Sequence, residues 1–209
     1  MSRLIFATRN RGKVAELERM LVGQGIEVED LSVHPEVEEI EETGDTFRAN
    51  AILKATVVAA RTGLLALADD SGLEVDGLGG RPGVRSARYA GEKASDDENN
   101  ALLVTEVTPL ASVARTARYR CAIAVAAPSG EVEVEEASVE GVIVVEPRGN
   151  GGFGYDPYFR VPSFGRTMAE LTASEKDGIS HRGLALRRAL PHVHRMLETM
   201  RERSAAGRK

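Results

Sequence analysis

The stretch "RLIFATRNRGKVAELERMLVGQG", residues 3–25, opens with an apolar run, "RLIFAT", that suits a buried strand. The polar turn "RNRG" follows, then "KVAELERMLVGQG", in which Val14, Leu17 and Leu21 recur at helical spacing and stop at Gly25. A strand running through a short turn into a helix is the opening of an α/β unit. Outward from it, "IEVEDL" reads as a second strand and the acidic run after it as an exposed loop. "TFRANAILKATVVAARTG" reads as a helix with Phe47, Ala51 and Val58 inward and Gly63 as its stop. "LLALADD" is the next strand, ending at Asp69 and Asp70 with a turn at Ser71 and Gly72. "GLGGRPGVRSARYAG" is a long loop, and "SDDENNALLVTEV" a helix capped by Ser95 or Asp96. "RTARYRCAIAVAAP" and "EVEVEEASVEGVIVV" form an antiparallel hairpin across "SG", the acids of the second strand lying on a wet face. From Thr167 the chain is mostly helical. Alternating α and β elements followed by a hairpin predict an α/β domain with a mixed sheet.

The chain has 209 residues, enough for one large domain or two small lobes. With 42% hydrophobic and 28% charged residues the composition is that of a soluble globular protein. The opening "MSRLIFATRN" has too short an apolar run for a signal peptide, and no stretch approaches the roughly 20 apolar residues of a membrane span. The single cysteine, Cys121, sits in "CAIAVAA" and reads as a reduced core thiol, which implies a cytoplasmic setting. A net charge of −5 argues against a general nucleic-acid binder. The charge is unevenly spread: residues 1–15 carry Arg3, Arg9, Arg11 and Lys13 and no acid, whereas residues 27–45 are strongly acidic without Lys or Arg. An anion site beside a cation site and plain solvated charge are both compatible with that pattern.

In "TRNRGK", Thr8, Arg9, Asn10, Arg11, Gly12 and Lys13 lie where a strand feeds a helix, so backbone N–H groups, a positive helix end and basic side chains can all meet a phosphate. The loop is not a Walker A motif, because Ala7 and Val14 stand where that motif needs Gly and Ser or Thr. An ordinary β–α turn with surface cations reads equally from it. Glu41 or Glu42 of "VEEIEETGD" could supply a carboxylate to a hard cation such as Mg²⁺, which one or two carboxylates and substrate phosphates hold. Asn50 and Lys54, one helical turn apart, share a face that could reach back to that loop. Carboxylates at a buried strand are costly unless they meet a cation or hydrogen-bond donors. Asp69 and Asp70, adjacent on a strand, point to opposite faces and are therefore unequal. "GNGGFG" fits the dinucleotide pattern through Gly149, Gly151 and Gly154, but "YDP" follows instead of a helix. Its glycines let backbone approach a ligand, with Phe153 exposed as a stacking surface, or they form a hairpin loop around a core aromatic. "SEKDGISHRG" gathers Lys176, His181 and Arg182 near a helix start that Ser180 would cap. His192 and His194, two residues apart, do not share a helix face and make no zinc site.

"TRNRGKVAEL", "EETGDTFRANAILKA", "ADDSGLEVDGLGGRPGVRSARYAG", "GGFGYDPYF" and "AELTASEKDGISHRGLAL", in this order, closely resemble the Ham1/RdgB/ITPase family of noncanonical purine nucleoside triphosphate pyrophosphatases, from about Leu4 to Leu190. The resemblance implies a long twisted mixed sheet flanked by helices in two lobes, with an active-site cleft between them, over residues 1–200, and a basic frayed tail over 201–209. It implies cytoplasmic, Mg²⁺-dependent homodimers that hydrolyse ITP, dITP and XTP to monophosphate and pyrophosphate, with neither a nucleic-acid polymer nor a membrane as partner. Carried onto this chain, residues 8–13 bind the triphosphate and Asp70 is general base and metal ligand. Ser71 contacts substrate, one of Glu41 and Glu42 is the second metal ligand, and Lys54 assists at the phosphates. Phe153, Gly154, Tyr155 and Asp156 line the base and sugar pocket, and Lys176, His181 and Arg182 complete base recognition. The chain departs from the family at "ASVEG", residues 137–141, where a GxWxG pattern is frequent; the difference bears on hairpin packing and the dimer surface.

Overall fold

A computed structural model describes residues 2–35 and 37–206. Its elements are β1 (Ser2–Phe6), α1 (Arg11–Leu21), β2 (Ile26–Asp30), α2 (Phe47–Thr62), β3 (Leu65–Val75), α3 (Asp96–Val107), β4 (Thr116–Ala126), β5 (Val132–Ile143), β6 (Phe159–Val161), β7 (Arg166–Thr167), α4 (Ala173–Ile179) and α5 (His181–Ala206), with short 3₁₀ turns among them. The strands form one open mixed sheet in the order β2-β1-β3-β4-β5-β6-β7, flanked by helices. β1 pairs in parallel with β2 and β3, as the helical crossovers α1 and α2 require, whereas β5, β6 and β7 pair antiparallel. Backbone bonds from Ala127 to Glu131 and from Ile143 to Arg115 close the two ends of an antiparallel β4–β5 hairpin.

The chain divides into two compact units: residues 1–70, 122–136 and 185–209, and residues 71–121 and 137–184. In the first, Leu4, Ile5, Phe6, Leu17, Val58, Leu65 and Leu67 are fully buried, each contributing about 1.5–3 kcal/mol by leaving water. α2 is held at both ends by local chemistry. Thr46 Oγ1 accepts from the Ala49 N–H at 3.1 Å, and Gly63 ends the helix at φ 70°, a left-handed conformation that a Cβ disfavours. Its buried face carries Phe47, Ala51, Ala55 and Val58, and also Asn50 and Lys54. In the second unit Leu73, Val75, Leu103, Val107, Tyr119, Ile143, Tyr155 and Phe159 make one core cluster, with the Tyr119 and Phe159 rings 4.4 Å apart. Cys121 is buried and takes part in no disulfide.

Three expectations are corrected. β3 does not end at Asp70: it runs through Ser71 and Gly72 to Val75, because Leu73 donates its N–H to Ser86 Oγ at 2.8 Å and both Leu73 and Val75 are core residues. Glu140 of β5 is exposed, as a wet face requires, but the acids at the start of that strand are half-buried. Arg195 pairs with Glu131 and Glu133, and His192 lies 3.1 Å from Glu135, so α5 covers that strand end with a basic face. β6 and β7, of three and two residues, follow the glycine-rich loop where no strand was expected. At the departure from GxWxG, Val139 packs partly buried on the core, and a Cβ at Gly141 would collide with the Phe159 ring, so that glycine is required by packing. Of the expected tail, residues 201–206 continue α5 as exposed helix and 207–209 lie outside the described residues.

Candidate active site

In the first unit, β1 delivers the basic loop to the start of α1. Ala7 extends the strand by donating to Leu67 C=O at 2.7 Å, and Thr8 Oγ1 and Asn10 Oδ1 accept from the N–H groups of Asn10 and Lys13, both at 3.1 Å. The loop is thus shaped by its own side chains, and the first turn of α1 contains no acid to quench its positive end. Arg9, Asn10 and Arg11 are exposed, while Arg9 also donates to Val37 C=O at 2.7 Å, which ties this loop to the start of the acidic stretch.

The adjacent carboxylates of β3 have different partners. Asp69 Oδ1 lies 3.0 Å from Lys13 Nζ. Asp70 Oδ2 accepts from Asn50 Nδ2 at 3.0 Å, and its Oδ1 lies 3.4 Å from Lys54 Nζ. Lys54 Nζ also donates to Glu42 Oε1 at 2.6 Å, and Asn50 Oδ1 accepts from the Gly44 N–H at 2.7 Å. The α2 pair therefore holds the acidic loop on one side and Asp70 on the other. It is Glu42 that joins the cluster; Glu41 is exposed. Burial and the Glu42 charge raise Asp70 above the ordinary carboxylate value against the pull of Lys54, Lys13 and Asn50, a direction that suits a base working nearer neutrality. Burial alone would lower Lys54, but Asp70, Glu42 and Asp69 outweigh it and keep the ammonium charged.

Two carboxylates, Glu42 and Asp70, converge on the position of one cationic group. Among the described residues no group of three or more His, Cys, Asp or Glu side chains gathers to hold a metal ion unaided. That donor set fits Mg²⁺, which takes one or two carboxylates and completes its shell with water and substrate phosphates, and not a dedicated all-protein cage.

In the second unit, a further set of buried polar groups forms around the loop at residues 149–156. Ser71 Oγ accepts from Arg182 Nη2 at 2.9 Å. Asp156, 3% exposed, takes the Lys176 ammonium at 2.5 Å and the Phe153 N–H at 3.0 Å on the same oxygen. A Cβ at Gly152 would collide with that carboxylate, so this glycine is required by close approach. Lys176 and Arg182 lie 4.9 and 5.6 Å from the centroid of Phe153, in cation–π range. The Phe153 ring is thus half-buried beside two cations, between the exposed stacking surface and the core aromatic that the sequence left open. Tyr155 is a core residue whose hydroxyl donates to Ser86 C=O at 2.7 Å, which anchors the loop on its core side. Thr172 and Glu175 form a capping box that starts α4, which carries Lys176. Ser180 Oγ accepts from the Gly183 N–H at 3.1 Å, capping α5 at the turn that carries His181 and Arg182. His181 stacks on Tyr119 at 4.7 Å and 15°. Buried cations and ring donors of this kind pair well with carbonyl acceptors on a flat heterocycle.

Sequence reasoning missed the Lys13–Asp69 pair, the Arg9 bond to Val37, and two residues of α3, Asp96 and Asn100, that touch Gly154. Nothing local marks these contacts, which join positions far apart in the chain.

The sequence model of the Ham1 family matches residues 4–192. A protein of Desulforamulus reducens named dITP/XTP pyrophosphatase is 50% identical over 194 residues, covering 93% of this chain and 96% of its own. One of Bacillus subtilis with the same name is 50% identical over 188 residues, covering 90% and 95%. Among solved structures, a Ham1 protein of Coxiella burnetii superposes with a TM-score of 0.84 at 41% identity, covering 93% of this chain and 100% of that one. A structure of Mycobacterium abscessus described as a nucleoside-triphosphatase or dITP/XTP pyrophosphatase gives 0.73 at 45% identity, covering 90% and 99%.

Proposed function

The chain belongs to the Ham1 family, and we propose that it is an Mg²⁺-dependent pyrophosphatase of noncanonical purine nucleoside triphosphates, ITP, dITP and XTP, working as a cytoplasmic homodimer that clears the nucleotide pool. Relatives of that name at about half identity over nine-tenths of the chain support the nucleoside-triphosphate pyrophosphatase activity. The observation that carries the reading for this chain's own residues is the convergence of Asp70, Glu42, Asn50 and Lys54. No described helix is long and apolar enough to cross a membrane.

In this reading residues 8–13 bind the triphosphate through Arg9, Arg11, Lys13, backbone N–H groups and the positive end of α1. Asp70, oriented by Asn50, accepts a proton from water as its oxygen bonds to the α-phosphorus. The bond from the α-phosphorus to the bridging oxygen breaks in line, and pyrophosphate leaves with the electron pair. Lys54 and the basic loop neutralise the charge that develops on it. Glu42 and Asp70 would hold Mg²⁺, which supplies charge neutralisation at the phosphate oxygens.

Base selection belongs to the second set. Inosine and xanthine carry a carbonyl at C6 where adenine carries an amino group. Donors from Lys176, His181 and Arg182 satisfy the carbonyl and are left facing another donor by adenine. Unpaired buried donors make such rejection strong. The test is a product assay with Mg²⁺ on ITP, dITP, XTP, GTP and ATP. Monophosphate plus pyrophosphate from the first three, lost in Asp70→Asn, is the expected result. ATP converted preferentially to ADP and phosphate would overturn it.

A further inference from the structure

We propose that Asp96 and Asn100 are positioning residues for base recognition, acting as a clamp on Gly154 that aims Phe153; the proposal rests on reading residues 153–156 as the base-facing loop. The two side chains lie one turn apart on α3 and so share a face. Asp96 Oδ2 accepts the Gly154 N–H at 2.7 Å, and Asn100 Nδ2 donates to the Gly154 C=O at 3.0 Å. The N–H belongs to the peptide joining Phe153 to Gly154 and the C=O to the peptide joining Gly154 to Tyr155. Holding both fixes two successive peptide planes, and with them the direction in which Phe153 leaves the backbone.

Gly154 sits at φ +61°, yet a Cβ there would meet nothing within 4 Å. Conformation, not space, is what the glycine supplies, and a left-handed glycine in a glycine-rich loop has many alternatives unless its peptides are held. On its far side Tyr155 is already anchored in the core, so the clamp governs the Phe153 side. Asn100 is 6% exposed, and its Oδ1 is buried without a hydrogen-bond partner among the described residues. A buried amide that leaves one end unsatisfied costs stability, and an apolar side chain of the same shape would fit the fold better. Its one bond, to Gly154, is the reason to keep it.

The test compares Asn100→Leu, Asp96→Ala, the conservative Asp96→Asn, and Asp97→Ala, which removes the same first-turn charge from an exposed neighbour of Asp96. Asn100→Leu and Asp96→Ala are expected to raise KM for ITP about 5- to 10-fold with kcat within about twofold, the signature of lost ground-state binding. Inhibition by IMP weakens equally while inhibition by pyrophosphate is unchanged; Asp96→Asn and Asp97→Ala behave as wild type. Amide exchange across residues 150–157 rises in Asn100→Leu without a fall in Tm. Unchanged exchange, unchanged KM with wild-type turnover intact, or equal weakening of IMP and pyrophosphate each overturns the clamp. Failure of wild-type protein to hydrolyse ITP would overturn the proposed function instead, and the exchange measurement would still decide whether the clamp orders the loop.

Discussion

Lys13 Nζ lies 3.0 Å from Asp69 Oδ1, so a lysine of the basic loop is tied to a carboxylate that is itself fully buried. Removing one partner of a buried ion pair leaves an uncompensated charge and costs about 3–5 kcal/mol. Lys13 retains some solvent contact and Asp69 has further interactions, so Lys13→Met is expected to lose about 2 kcal/mol in urea unfolding. The double variant Lys13→Met, Asp69→Asn should recover at least half of that loss. An unchanged midpoint in the single variant would contradict the pairing.

Glu42 and Glu41 are adjacent in sequence, yet only Glu42 reaches Lys54, at 2.6 Å, beside Asp70. Glu42→Gln is expected to lower turnover about 100-fold or more and to raise the Mg²⁺ concentration needed for half-maximal rate. Glu41→Gln should stay within about twofold of wild type on both, since its carboxylate is exposed. A magnesium titration of the two variants separates them, and equal losses would contradict the assignment.

Glu175 is held down at about 2 by the Arg166 guanidinium first, then by the Thr172 N–H and hydroxyl. Because its value in the folded chain lies below the ordinary 4.5, its contribution to stability is present above pH 4.5 and is lost as pH falls towards 2. Glu175→Gln keeps the capping-box geometry but not the ion pair with Arg166. Its Tm should lie below wild type at pH 6, and the difference should shrink to nothing as pH is lowered through that window. A difference that stays constant with pH would contradict the charge effect.

Legibility followed the range of the interaction that fixed each feature. The limits of α2 could be read because Thr46, Gly63 and the apolar stripe act locally. The inequality of Asp69 and Asp70 followed from strand alternation, and the shared face of Asn50 and Lys54 from helical spacing. What those side chains meet could not be read: Asp70 lies 20 residues from Asn50, and the Lys13–Asp69 pair joins two different elements. Ser71 and Gly72 looked like a turn because their local preference points that way, but sheet pairing and the Leu73 bond to Ser86 override it. Asp96 read as a helix-start acid, which it is; its second contact, 58 residues away at Gly154, leaves no local trace.

Hydrolysis of ITP in ¹⁸O-labelled water identifies the phosphorus that is attacked, because only its product carries the label. Attack at the α-phosphorus with Asp70 as base puts one labelled oxygen in IMP, leaves pyrophosphate unlabelled, and allows no turnover by Asp70→Asn. Label in inorganic phosphate with IDP as the second product, or full turnover by Asp70→Asn, would contradict it.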